Sequence, residues 1–113
     1  MSRSLPSYLT SLRLQRGLTQ PELADLFGIG PSLLSKVESL DRRPTAKVIL
    51  AAEIVFGVSA REIFPAAYHD IENAVVQRAG SMRGQLKGSS APAASAKRQV
   101  LEELMQRSSS NRI

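Results

Sequence analysis

The chain is expected to be all-α: a compact five-helix domain over residues 1–65, with a helical extension behind it. Three observations carry that expectation. Aromatic residues make up only 4% of a chain that is 42% hydrophobic, so the core must be built from Leu, Ile, Val and Ala, a composition that suits helices better than a sandwich or barrel. Thr19 and Glu22, and again Ser59 and Glu62, stand three apart, the spacing at which two side chains satisfy each other's backbone donors at a helix start. Glycines at 17, 28 and 57 stand where the apolar periodicity breaks off, as left-handed helix ends do.

Helix one is expected over residues 6–16, because proline fits a first turn, where its missing N–H would be unpaired anyway. Leu5, Leu9, Leu12 and Leu14 supply its apolar face. Helix two, capped by Thr19, covers 20–27 and buries Leu23, Ala24 and Phe27. Gly30 and Pro31 restart the chain as helix three, which runs to about residue 39 with Leu34 and Val37 inward. Thr45 caps helix four over 46–56, whose core candidates are Val48, Leu50, Ala51, Ile54 and Val55. A short fifth helix opens at Ser59 and stops at Pro65.

Behind Pro65 the pattern changes. Tyr68, Ile71, Val75 and Ala79 recur at three- and four-residue spacing, so 66–79 is expected to be one amphipathic helix extending the domain or a dimer interface. Residues 80–95 are rich in Gly, Ser, Ala and Pro, with basic and no acidic residues, and are expected to be a flexible basic linker. The segment 96–113 is expected to hold a helix with Val100, Leu101, Leu104 and Met105 on one stripe, followed by a frayed tail. So short a helix is marginal alone, so it should dock on the main domain, on a second copy or on another protein.

Composition excludes several classes of function. A net charge of +5 fits nucleic acid or an acidic surface without choosing between them. The absence of cysteine removes disulfides, thiolate catalysis and thiolate-bound metal together. The first ten residues lack the apolar core of a signal peptide. The longest apolar run, 48–58, is interrupted by Glu53 and is too short to span a bilayer. A cytoplasmic chain with no membrane association is expected. His69 has Asp70 and Glu72 nearby, but sequence neighbours do not share a helix face, and no metal is expected. Residues 28–30, Gly-Ile-Gly, follow no strand and lack the lysine of a phosphate loop. Neither a cofactor nor catalytic residues are expected, and the chain is not read as an enzyme.

A capped helix, a glycine-marked turn and a second short helix have the outline of a helix-turn-helix. In DNA readers the first helix braces on the backbone and the second lies in the major groove. The outline alone is shared by any αα-corner. Its flanks are more specific: "LRLQRGLTQPELADLFGIGPSLLSKVE", then Arg42-Arg43-Pro44 and "FGVSAREIFP". Together these closely resemble the Cro/C1 repressor-type (XRE) family over about residues 5–65. The resemblance implies a lambda-repressor-like domain and a bacterial or phage transcription regulator, most simply a repressor that binds a double-stranded operator as a homodimer.

The resemblance also implies roles. Thr19 and Gln20 fall among the DNA contacts, Gln20 on a phosphate. Pro31, Ser32 and Lys36 fall where the family reads bases, with Leu33 beside them and Ser35 among the DNA contacts, and Arg42, Arg43 and Lys47 near the phosphate backbone. Arg13 and Glu38 match an internal ion pair that ties helix one to helix three. The partner or dimer surface is expected at Tyr68, Ile71, Val75, Val100, Leu101, Leu104 and Met105. RNA polymerase or a toxin is the alternative protein partner.

Helix three carries no Asn, Gln or Arg, the residues that grip a base edge with two hydrogen bonds. Ser32 discriminates poorly; Lys36 can donate to guanine O6 and N7, and Leu33 can touch a thymine methyl. Direct readout should be thin, with DNA shape and half-site spacing carrying much of the specificity. The family pattern breaks at Leu40, where glycine is usual. Without a left-handed glycine, helix three should end differently and displace residues 39–44. The alternative function is a protein adaptor or antitoxin-type autoregulator acting mainly through the C-terminal helices.

Overall fold

The structure is a computed structural model and describes residues 5–110. Those residues form α1 Leu9–Gln15, α2 Gln20–Phe27, α3 Pro31–Glu38, α4 Ala46–Phe56, α5 Ala60–Ile63, α6 Pro65–Leu86 and α7 Pro92–Ser110, with no strand among them. The chain divides into two compact units, 1–69 and 70–113.

In the first unit, Leu9, Leu23, Leu34, Val37, Val48, Ala52 and Ile63 are almost fully buried, with Phe27, Phe56 and Phe64 around them. Helix α1 starts three residues later than expected. The Pro6 carbonyl accepts from Ala66 N at 3.3 Å, and Tyr8 N donates to the Ile63 carbonyl at 2.8 Å. These bonds hold residues 6–8 against the end of α5 and the start of α6 and leave them outside the helix. Leu5 and Leu14 are 45% and 63% exposed, off the core.

Helix α4 corrects a further expectation. Its inward face is Val48, Ala52 and Phe56, flanked by Ile49, Ala51 and Val55. Leu50 and Ile54, expected inside, are 60% and 83% exposed. They lie about 200° round the helix from Val48 and Ala52. The helix is apolar nearly all round, so periodicity could not name its inner face.

Helices α1, α2 and α3 end in the same pattern. A backbone N–H reaches back five residues (Leu18 to Arg13, Ile29 to Ala24, Asp41 to Lys36, at 3.1, 3.0 and 2.9 Å) over a left-handed residue. That is the Schellman stop. Gly17 and Gly28 supply the left-handed residue twice, and at the third end Leu40 takes it, at φ 68°. The expectation that helix three ends differently for want of a left-handed residue is thereby overturned. The Lys36 carbonyl accepts from Asp41 N and Arg42 N at 2.9 and 3.1 Å, and the single Ser39 hydroxyl hydrogen is shared between that carbonyl at 3.2 Å and Asp41 Oδ2 at 2.9 Å. These bonds hold Leu40 against a strain of about 1–2 kcal/mol. Leu40 is 57% exposed, so Leu40→Gly loses little packing. It is expected to raise stability by about 1 kcal/mol, and the thermal midpoint by about 5 °C, on melting followed by circular dichroism. A lower midpoint would mean that the leucine side chain is needed there.

The expected linker over 80–95 is corrected too. Helix α6 continues to Leu86 and α7 begins at Pro92, leaving 87–91 between them. Glycine and serine weaken a helix, but tertiary contacts override propensity. Arg98 donates to the Leu86 and Ser89 carbonyls, both at 3.1 Å, tying off the end of α6. Arg83 pairs with Glu102 at 3.5 Å. A Cβ on Gly80 would stand 3.9 Å from Met105 Cε, so the Met105 side chain reaches across to α6 at Gly80. Ala79, Ala94, Leu101 and Ser108 are buried, and Ser108 Oγ has no hydrogen-bond partner among the described residues. Residues 108–110, expected to be frayed, close α7, and 111–113 lie outside the described residues.

Candidate nucleic-acid interface

Helices α2 and α3, eight residues each, are joined by residues 28–30. The reciprocal bonds of Thr19 and Glu22 start α2: Thr19 N donates to Glu22 Oε1 at 2.9 Å and Glu22 N to Thr19 Oγ1 at 3.2 Å. The Thr19 backbone bond, with its hydroxyl second, holds the Glu22 carboxyl below its ordinary pKa. A carboxylate whose pKa is lowered by folding stabilises the helix start above its unfolded pKa. That contribution is lost as pH falls through the folded one.

Gly28 makes the turn at φ 69°, and Lys47 Nζ donates to its carbonyl at 2.8 Å. A cation there meets the negative end of α2, and the bond ties α4 to the turn between α2 and α3. Pro31 opens α3, and Leu34 and Val37 bury its inner face against the core. Pro31, Ser32, Ser35, Lys36 and Ser39 form its exposed outer face. Leu33 is half-buried and packed against the core, so less of it remains to meet a base.

Beneath this face lies a three-helix lock. Arg13 Nε meets Glu38 Oε2 at 2.7 Å and its second terminal nitrogen meets Oε1 at 3.1 Å, a bidentate pair with side chains 11% and 5% exposed. Arg13 also donates to the Leu18 carbonyl at 2.9 Å, and Gln20 Nε2 donates to Glu38 Oε1 at 2.8 Å. One carboxylate thus joins α1, the start of α2 and the end of α3. One N–H of the Gln20 amide is spent on Glu38 and a second remains on the same nitrogen.

Arg42 and Arg43 are exposed in the loop that folds back under the end of α3, held by the bond from Arg42 N to the Lys36 carbonyl. Among the residues read as a partner surface, Tyr68 and Val75 are each 38% exposed, Ile71 57% and Val100 60%. Tyr68 lies under the Arg61 guanidinium, 4.6 Å from the ring centre. Leu101 is buried, and Leu104 and Met105 are half-buried. The sequence reading missed the Gln20–Glu38 and Lys47–Gly28 bonds. No local pattern announces them, because each joins residues 18 or more apart.

Residues 9–63 match the family model described as helix-turn-helix, from the first residue of α1 to the last of α5. This segment is a Cro/C1-type (XRE) helix-turn-helix domain. No curated protein and no solved structure matches the chain. The family is one of DNA-binding regulators. In this helix-turn-helix domain, α2 and α3 are the paired helices, and the Glu38 lock and the Lys47 contact tie them to α1 and α4. Among the described residues no helix is long and apolar enough to cross a membrane, and no group of His and acidic residues could hold a metal ion.

Proposed function

We propose that this protein is a sequence-specific regulator, most simply a repressor, that binds a double-stranded operator as a homodimer with α3 in the major groove. The outer face of α3 carries this reading: it is polar and exposed, while its inner face is packed and its C-terminal end is tied. Lys36 donates to guanine acceptors, and Ser32 and Ser35 add less selective bonds. Pro31 and Leu33 supply shape and apolar contact. Gln20, held by Glu38, meets a phosphate with its remaining N–H, beside Thr19. Arg42, Arg43 and Lys47 supply the positive field along the backbone. The Glu22 carboxylate occupies the start of α2, so that helix end is no free phosphate site, and the Gln20 side chain must make the contact.

A second reading, a protein adaptor or antitoxin-type autoregulator, is favoured by the thin reading face and by Leu50 and Ile54 standing exposed on α4. Selection of the full chain on a random duplex library at two salt concentrations separates the two. The expected result is a short two-fold-symmetric site with guanine opposite Lys36, and affinity that falls steeply with salt. No binding at low salt would overturn the regulator and leave the adaptor.

A further inference from the structure

We propose that the hairpin of α6 and α7 over residues 70–110 packs face to face with the same hairpin of a second copy, forming a four-helix bundle. This deepens the homodimer of the preceding reading and rests on it only for its use on an operator.

The hairpin is antiparallel. Gly80 faces Met105, Arg83 pairs with Glu102, and the Leu86 carbonyl takes Arg98, so numbers rise on one helix as they fall on the other. At 100° per residue, Gly80 and Arg83 lie to one side of Ala79. Val75, Met82 and Ile71 lie about 40°, 60° and 80° to the other side. On α7, Met105 and Arg98 lie to one side of Leu101, with Leu104 and Val100 about 60° and 100° to the other. Because the helices run in opposite directions, these rotations bring both outer stripes to the same side of the hairpin. The result is one largely apolar face of Ile71, Val75, Met82, Val100 and Leu104, into which the exposed Lys97, about 40° from Leu101 on the same side, also projects at the loop end. Four of the five are well exposed in the single chain, at 57%, 38%, 50% and 60% in that order, and Leu104 is half-buried.

Two helices cannot enclose a core, and an apolar face must be covered by another layer. Among the described residues of this unit, the buried side chains are only Ala79, Ala94, Leu101 and Ser108. The size of the face suits a second copy. Helix α7, with 19 residues, is about 28 Å long and residues 70–86 of α6 about 25 Å, and at about 10 Å of width each the two helices together present a face of about 550 Å². Two such faces clear the roughly 1,000 Å² that a specific interface needs. The face and its rim carry both signs, Arg78 on α6 with Lys97, Glu103 and Arg107 on α7. Mixed signs suit an identical hairpin better than a strongly acidic or basic partner.

Sedimentation equilibrium of the full chain tests this. The expected mass is twice the monomer's 12.3 kDa, falling to one monomer in Val75→Glu and Val100→Glu with helix content retained. Val100 is exposed in the single chain, so its substitution leaves the packing within the hairpin intact. Gln106→Glu, on the opposite side of α7, should remain dimeric. A monomeric parent at hundreds of micromolar, or dimers that survive both glutamates, would overturn the bundle. Binding to a single half-site at low salt separates the two readings. Charged variants that are monomeric yet still bind support both, whereas a dimeric parent that binds no DNA keeps the bundle and removes the operator.

Discussion

Replacing Glu38 with alanine is expected to destabilise the helix-turn-helix domain by about 3–5 kcal/mol, the cost of leaving a buried charge without its partner. For a domain of this size the thermal midpoint should fall by more than about 10 °C. The reason is geometric. The Arg13 side chain is 11% exposed and its fork is filled by the two Glu38 oxygens and the Leu18 carbonyl. Alanine removes the carboxylate and leaves the guanidinium with one carbonyl. It also releases the Gln20 amide, so the start of α2 and the end of α3 lose their common tie. Arg13→Met combined with Glu38→Leu should recover much of the loss, since apolar side chains of similar volume need no desolvation of charge. Urea and thermal unfolding of the single and double variants measure the cycle. A loss below about 1 kcal/mol for Glu38→Ala would show that water replaces the carboxylate and that the lock contributes little.

Lys36→Ala is expected to weaken binding to the selected operator by about 1–3 kcal/mol, roughly fivefold to 150-fold, while leaving the melting temperature unchanged. The Lys36 side chain is exposed. The hub that ends α3 uses its backbone carbonyl, which alanine keeps. Stability and binding should therefore separate cleanly at this residue. The pattern of the loss identifies the contact. If Lys36 reads guanine, the loss concentrates on sites with guanine at one position and specificity there relaxes. If it meets a phosphate, every sequence weakens equally and the slope of log affinity against log salt drops by about one. Unchanged affinity and selectivity would remove Lys36 from the interface and take the base-reading role of α3 with it.

Much of the domain was legible because its signals are local. Thr19 with Glu22 and Ser59 with Glu62 mark helix starts through bonds made within one turn. Gly17, Gly28 and Gly57 mark ends through a backbone angle that side chains resist. Leu40 shows where such reasoning stops. Its residue type argues against a left-handed stop, and two backbone N–H bonds to one carbonyl impose it. Leu50 and Ile54 show a second limit, since a helix apolar on every side does not say which side is in. The C-terminal half shows a third. Glycine and serine over 80–86 point to a linker, which hides Met82 from a reading of the partner surface. Its spacing from Ile71 and Val75 was nevertheless that of one helical stripe, the signal that could have found it.

The amino-acid sequence by itself determined the all-helical class, the bounds of α2, α3 and α4, and the membership of residues 9–63 in a helix-turn-helix family. Those properties follow from caps, stops and periodicity, which act over a few residues. Only the tertiary structure decided what Glu38 holds, which face of α4 is buried, why a leucine can end α3, and that α6 runs on to meet α7. Each of these depends on groups far apart in the chain, whose contacts outweigh the roughly 1 kcal/mol preferences that single residues express.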